Sequence, residues 1–501
     1  MFNGEVLAFI CYFLVVLGIG IFFFVRSKGS GEKDYFLGGR SMGPWVTALS
    51  AQASDMSAWL LMGLPGSILA FGFGEIWIGI GLVLGTIANW IFVAKRLRRF
   101  SRAANDSITL PQYMSNRFGG NKRVLQMISA VIFLICFTVY VASAFVAGTK
   151  VFVTIFPELD SSVAMLIFGA IILVYTFLGG YKAVCWTDFF QGMLMLAALL
   201  AIPIIAVASG DGNASALTEV VVDAAGKEYN FGTSLFSSDW RDIVSGLAWG
   251  LGYFGMPHIL VRFMSIRKAR EINKAATIAV IWVVIALGSV VAMAILGRMI
   301  MGAELIQAGK QDTVFIAFAA KYFPPFIAGL LMSAIVAASM STADSQLLVA
   351  SSSFTSDIYK PFIRKGATDK EVMWVGRLVV LIVAIVAYFI ASSKAAGAQA
   401  IMSLVENAWA GFGSAFGPVV ILSVFWKRFT YKGAVAGVIC GALADVVWLV
   451  SGLSATTGIY ELLPGFITGL VAAVVVTLID KAPDGIVEAI FETATNPELD
   501  D

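Results

Sequence analysis

Thr47-Ala-Leu-Ser-Ala-Gln-Ala-Ser-Asp55-Met-Ser57-Ala-Trp-Leu-Leu-Met-Gly63-Leu-Pro65-Gly66 is apolar and long enough to cross a bilayer, and Asp55 is its only charge. An acid at the middle of a membrane helix costs roughly 2.5–3.5 kcal/mol on insertion scales, so it usually faces a cavity, a partner or an ion. Small polar residues surround it. The Gly63-Leu-Pro65-Gly66 step predicts a helix break at Gly63–Gly66 that exposes backbone. This is the pattern of an ion-binding site inside a membrane transporter.

The rest of the chain agrees. Of 501 residues, 59% are hydrophobic and 13% charged, against about 25% charged in soluble domains. A net charge of +2 argues against a nucleic-acid partner. Cys11, Cys136, Cys185 and Cys440 are scattered and fit neither a disulfide framework nor a zinc site. His258 is the single histidine, which excludes a multi-His metal centre. Met1 to Glu5 has no basic residue and precedes a long apolar run, so a cleavable signal peptide is not expected.

Hydropathy predicts an all-α integral membrane protein, residues 1–501 forming a single transporter domain. Thirteen spans are expected near 6–25, 46–67, 75–94, 125–149, 162–179, 188–208, 242–261, 276–297, 324–350, 375–393, 400–426, 434–452 and 463–480. Basic residues set the expected orientation. One side collects Arg26, Lys28, Lys33 and Arg40, then the run Lys95 to Arg102 with Arg117, Lys122 and Arg123. It also collects Lys182, then Arg262 to Lys274, Lys360 to Lys370, and Lys427 to Lys432. The other side has Lys150, Lys227, Arg241, Arg298, Lys310, Lys321 and Lys394. This predicts the N-terminus outside and the C-terminus, with its acidic tail 497–501, in the cytoplasm. The basic runs read as topology signals rather than as lipid or RNA sites.

A second interrupted span reads Trp249-Gly-Leu-Gly-Tyr253-Phe-Gly255-Met-Pro257-His258. It lies five spans after the first, so the two would have opposite orientation. Paired broken segments point to a binding site between inverted repeats. Repeat one would cover about 46–208 and repeat two about 242–426, leaving 6–25, 434–452 and 463–480 peripheral. Gly250-Leu-Gly252-Tyr-Phe-Gly255 matches the dinucleotide pattern, but it sits in a membrane span and not in a βαβ unit. Its glycines fit close packing or unwinding. No nucleotide-binding P-loop pattern occurs, so ATP-driven transport by this chain alone is not expected.

Ser341 and Thr342 place two hydroxyls near mid-membrane, where hard cations select oxygen ligands. Tyr140, Trp249 and Tyr253 are candidate pocket aromatics, and the last two share a helical face beside the break. Asp188 opens a span and Glu406 lies near the start of another, which reads as interfacial. Asp344 and Asp445 lie deeper.

Three stretches carry a resemblance. They are Asp34-Tyr-Phe-Leu-Gly-Gly-Arg40 through Asp55-Met-Ser57 to Leu61-Met-Gly-Leu-Pro-Gly66, then Trp249 through His258, and Ala408-Trp-Ala-Gly-Phe-Gly-Ser-Ala-Phe-Gly-Pro418. They resemble the bacterial sodium:solute symporter family, and within it the members that carry proline. The resemblance covers nearly the whole chain. It implies a core of two inverted five-helix repeats like that of the leucine transporter, sodium and L-proline as co-transported substrates, no resident cofactor and a bacterial plasma-membrane location. It implies sodium held by backbone carbonyls of Ala53, Met56 and Ala338 and hydroxyls of Ser341 and Thr342, with Asp55 needed for coupling. It implies Ser57, Tyr140, Trp249, Tyr253 and Pro257 at the substrate pocket, and Arg40 at the cytoplasmic gate. Ala343-Asp344-Ser345 departs from the enterobacterial pattern. The alternative is a symporter of the same fold for another small organic solute. A transporter-like sensor would usually need an appended signalling domain, and an enzyme would need a nucleophile–base or metal cluster that the chain does not display.

Overall fold

The computed structural model describes residues 4–26, 31–120, 123–393 and 401–496. Lys28, Lys122, Lys394 and the tail 497–501 lie outside the described residues. The fold is a helical bundle with a single two-stranded hairpin among the described residues, Val221–Val222 paired with Glu228–Tyr229. Ten described helices are long and apolar enough to cross a membrane, or eleven when the bent pair Trp240–Phe254 and Pro257–Ser265 is counted as one span. The expected spans at 46–67 and 162–179 correspond to shorter apolar helices, Ala58–Phe71 and Ser161–Val174.

Burial sorts the helices into a centre and a lipid-facing ring. In Pro325–Ile363, 83% of the membrane window is buried, and in Ile401–Phe425, 78%. In Tyr431–Val450 and Leu462–Ile479 it is 33%. The central helices can therefore carry polar residues that lipid would reject, and Pro325–Phe354 carries Ser339, Ser341, Thr342, Asp344 and Ser345, all buried. This helix packs on Gly4–Arg26, Pro44–Met56, Val124–Ile155 and Ser161–Ser209.

Several local expectations change. The first broken span is interrupted at Ser57–Met62, not at Gly63–Gly66. Pro44–Met56 ends at Ser57, which has φ 32°, and a new helix runs Gly63–Phe71. Pro65 lies in the first turn of that new helix, where the backbone N–H has no intrahelical partner and its loss does no harm. The Gly-x-Pro step thus marks where the helix restarts. The loop expected between 179 and 188 is absent as a loop: Ser161–Ser209 continues through it, redirected at Gly180, whose φ of 61° suits glycine. Asp188 is consequently not at a helix end but fully buried inside. The mixed-charge stretch after Phe354 continues as a π-helical turn, Thr355–Ile363.

Some basic residues counted as loop charges are buried anchors. Arg262 is 1% exposed and lies within Pro257–Ser265. Arg98 donates to the carbonyls of Ile266 at 2.8 Å and Arg267 at 3.2 Å. Arg117 donates to Ser423 O at 2.9 Å and Val487 O at 3.1 Å.

Candidate functional site

Two helix interruptions meet at the middle of the bundle. At the first, Pro44–Met56 stops, and its last turn leaves carbonyls without intrahelical donors. The negative end of the helix dipole and the Asp55 carboxylate coincide there, a combination that repels anions and attracts a cation. Ser341 Oγ reaches across from Pro325–Phe354 and donates to Ala53 O at 2.9 Å. It also lies 3.2 Å from Ala338 O, and Thr342 Oγ1 donates to that same carbonyl at 3.0 Å. Two carbonyls and two hydroxyls, all buried, therefore converge beside the break, a donor set that suits a hard monovalent cation. Met56 ends the same turn. Ser57 caps the short turn after it by accepting from Trp59 N at 3.3 Å.

The second interruption lies opposite. Trp240–Ala248 tightens into a 3-10 turn over Trp249–Phe254, and Pro257 starts Pro257–Ser265 at a 43° bend. Its glycines serve close packing: a Cβ at Gly250 would collide with the carbonyl of Gly81, one at Gly252 with the Trp409 indole, and one at Gly255 with the carbonyl of Phe412. Its freed carbonyls are taken by neighbouring helices. Asn89 Nδ2 donates to Tyr253 O at 3.0 Å, and Trp409 Nε1 to Trp249 O at 2.8 Å.

The two interruptions are joined by one bond. Tyr253 Oη donates to Asp55 Oδ2 at 2.6 Å. Around it stands an aromatic wall. The Trp249 ring lies 6.0 Å from Trp59, 6.5 Å from Trp409 and 5.2 Å from Tyr460, and Tyr253 meets Trp409 edge-on at 5.1 Å. Tyr140 lies 6.5 Å from His258, the residue after Pro257, and its buried hydroxyl stands beside the Ser57 hydroxyl. Asp55 is 2% exposed, so its carboxylate is shielded from water in this conformation.

Arg40 stands apart from this centre, ahead of the first broken span. It donates to Asp106 Oδ1 at 2.8 Å, Ser101 Oγ at 3.1 Å, Ser107 O at 2.8 Å and Met264 O. Beside it, Met42 and Ile266 form a bridge, with Arg267 N donating to Met42 O at 2.9 Å. This end is thereby latched to the end of Pro257–Ser265. Partial burial alone would raise the Asp106 pKa, but the Lys33 and Arg40 contacts outweigh it and hold the carboxyl below its ordinary value.

Sequence reasoning missed Trp59, Asn89, Trp409 and Tyr460 as parts of the site. Trp409 did carry a signal: an indole N–H in a helix of small residues needs an acceptor, and a broken helix supplies one. A second group also escaped notice. Arg262 donates to Asp188 Oδ2 at 3.0 Å, to Ser50 Oγ at 3.1 Å, to His258 O at 2.7 Å and to Ser345 Oγ. This buried ion pair ties both broken spans to the central helix and replaces the interfacial reading of Asp188. Asp344 accepts from Ser345 at 3.1 Å, and Asp445 from Ser414 at 3.4 Å. Glu406 lies within Ile401–Phe425, and its carbonyl accepts from Tyr460 Oη at 2.8 Å.

Residues 35–441 match the model of the sodium:solute symporter family. The sodium/proline symporter of Escherichia coli is 45% identical over 92% of this chain and 90% of its own length. That of Haemophilus influenzae is 42% identical over 98% of both, and the osmoregulated proline transporter of Bacillus subtilis 41% over 94% of both. Among solved structures, a Na+-coupled sialic acid symporter in a substrate-bound, outward-open state superimposes with a TM-score of 0.73. It covers 96% of this chain and 99% of its own at 20% identity. A nucleobase-cation-symport-1 family transporter in a closed conformation gives 0.54 over 92% and 98% at 16% identity. These likenesses place the chain in the inverted-repeat transporter fold expected from its sequence.

Proposed function

This chain belongs to the sodium:solute symporter family, and on that footing we propose that it imports L-proline together with sodium by alternating access. The observation that carries the reading is the Tyr253–Asp55 bond. It joins a cation-suited oxygen cluster on one broken span to an aromatic wall on the other. The relatives named as sodium/proline symporters support the choice of ion and solute.

Sodium binds among Ala53 O, Met56 O, Ala338 O, Ser341 Oγ and Thr342 Oγ1, and pins the first broken span to the central helix. Asp55 supplies the field that draws the cation there, and transmits its presence through Tyr253. Proline then sits between the breaks beside Ser57, Tyr140, Trp249, Tyr253 and Pro257. The positive helix starts at Gly63 and Pro257 suit its carboxylate, and freed carbonyls suit its ammonium. The pyrrolidine ring packs on the aromatic faces. Rocking of repeat one (about 46–208) against repeat two (about 242–426) then exposes the site inward, with the Arg40 latch opening on the cytoplasmic side. The N-terminus lies outside and the C-terminus in the cytoplasm of a bacterial plasma membrane.

One charge moving across about 100 mV is worth about 2.3 kcal/mol. That supports about 40-fold accumulation at roughly 1.4 kcal/mol per tenfold, before any sodium concentration gradient. The test is uptake of labelled L-proline and a panel of other solutes into proteoliposomes under imposed sodium, potassium or proton gradients. Concentrative proline uptake with sodium alone is expected. Equal uptake under potassium would remove sodium coupling, and preference for another solute would move the reading to the same fold with a different substrate.

A further inference from the structure

One fully buried acid takes no part in either break. Asp357 lies in the π-helical turn Thr355–Ile363, at the end of the bundle that carries Arg40. Thr109 Oγ1 donates to its Oδ1 at 2.9 Å, and Gln126 Nε2 donates to the same oxygen at 2.7 Å. Both donors are neutral. Asp357 Oδ2 is buried and has no hydrogen-bond partner among the described residues. Ser353 stands four residues earlier on the same continuous helix, and so on the same face. Its buried hydroxyl also has no partner among the described residues.

The charges around this pair of orphan oxygens do not balance. Glu32 lies near enough to repel Asp357. It accepts from Ser356 Oγ at 2.7 Å and pairs with Lys360. Two further cations beside the turn are spent elsewhere: Arg123 donates to Pro361 O at 3.2 Å, and Arg364 pairs with Glu371 at 2.8 Å. With both carboxylates ionised, Lys360 offsets one and leaves one negative charge in excess. A buried carboxylate without a cation is costly, because neutral donors do not cancel its charge. Buried polar atoms left unmet mark the place of an ion or a water. The π-turn is itself a distortion that recurs at functional positions.

We propose that Asp357 Oδ2 and Ser353 Oγ hold an alkali-metal cation, with Glu32 adding to the field that draws it. The single excess charge selects a monovalent ion, and oxygen ligands select a hard one. Ser353 stands roughly 16 Å further along its helix than Thr342, so this is not the oxygen cluster at the first break. The ion acts as a strut. Arg40 donates to Ser107 O at 2.8 Å, and Thr109, just beyond, donates to Asp357. A cation that neutralises Asp357 fastens the segment under the Arg40 latch to the end of the central helix. The site does not depend on which solute or ion the protein transports.

The thermal midpoint of the purified full-length protein tests this, measured without proline in N-methyl-D-glucamine chloride and with rising potassium chloride at constant ionic strength. The wild type is expected to gain at least about 2 °C in potassium. Asp357→Asn should abolish the gain. In N-methyl-D-glucamine it should melt above the wild type, because the neutral isostere removes the uncompensated charge. Asp55→Asn should keep the gain, which separates this site from the first break. Ser353→Ala, which deletes one of the two orphan oxygens, should raise the potassium needed for half the gain about 10-fold. That variant decides if Asp357→Asn does not fold. Crystals grown in rubidium chloride should show anomalous density in contact with Asp357 Oδ2 and Ser353 Oγ. A wild type indifferent to potassium would mean that Asp357 carries a proton or a water, and would overturn the assignment. So would an equal gain in Asp357→Asn, loss of the gain in Asp55→Asn, or rubidium density at the first break alone.

Discussion

The two broken spans look alike in sequence and do different work. Both contain a Gly-x-Pro step, and in both the proline stands in the first turn of the restarting helix. The first span leaves a helix end whose last carbonyls lack intrahelical donors, next to Asp55, and the one at Ala53 is met by a hydroxyl that can turn away. The second keeps a 3-10 turn, buries its glycines against neighbouring backbone, and has its carbonyls taken by Asn89 and Trp409. One break is thus left open electrostatically and the other is closed. A freed backbone carbonyl becomes an ion ligand only where no neighbouring donor claims it permanently. Ser341 is the instructive case, since its hydroxyl rests on Ala53 O and can turn to a cation without leaving a rigid amide donor behind.

Substitutions can separate the two roles. The largest effect is expected for Asp55→Asn, which keeps the shape and removes the charge. Sodium for half-maximal uptake should rise about 100-fold, or about 2.7 kcal/mol, with Thr342→Ala following at roughly 10-fold. A sodium titration of proline uptake measures both, and an unchanged midpoint in Asp55→Asn would remove the first break from ion coupling. Next, Gly255→Ala would force a Cβ into the Phe412 carbonyl. Overpacking of that kind costs about 1–3 kcal/mol. Protein in the membrane, quantified by immunoblot, should fall several-fold, while the sodium midpoint of the remaining protein stays put.

A smaller shift is expected for Trp409→Phe, which deletes the N–H donated to Trp249 O. One hydrogen bond is worth about 1 kcal/mol, so the KM for proline should rise about 5-fold with the sodium midpoint within 2-fold. A matching sodium shift would mean the breaks are not separable. Smallest is Asp106→Asn, at the Arg40 latch, for which less than a 3-fold change in uptake is expected. The folded Asp106 pKa is depressed, so its contribution is complete above the ordinary carboxylate value and lost only as pH falls through the lower folded value. Wild type and variant should therefore share one uptake profile between about pH 6 and 8.

Asp55, Ser341 and Thr342 stood out in the sequence as candidates because polar groups in apolar spans have to be justified by a partner, and Tyr253 as an aromatic beside the second break; the structure brings Asp55 to Tyr253 and Ser341 to Ala53. The glycine run was legible as packing for the same kind of reason, since a nucleotide loop has no place inside a membrane span. The position of the first break was not, because proline announces a helix start as readily as a stop. Nor was the Asp188–Arg262 pair, whose members lie 74 residues apart. Hydropathy assigned one to an interface and the other to a loop, and only the packing of three helices brings both into the centre. Asn89 and Trp409 were hidden by the same limit: a side chain that satisfies a distant carbonyl leaves no periodic trace on its own helix.

The central claim is that the oxygen cluster at the first break and the aromatic wall at the second are coupled through Tyr253 and Asp55. The most direct measurement is equilibrium binding of L-proline to the purified protein across a sodium series, paired with sodium binding across a proline series. Coupling is reciprocal in free energy. Sodium is expected to tighten proline binding by at least about 10-fold, and proline to tighten sodium binding by the same factor, with both effects lost in Asp55→Asn. Proline binding that is equally tight without sodium would contradict the account.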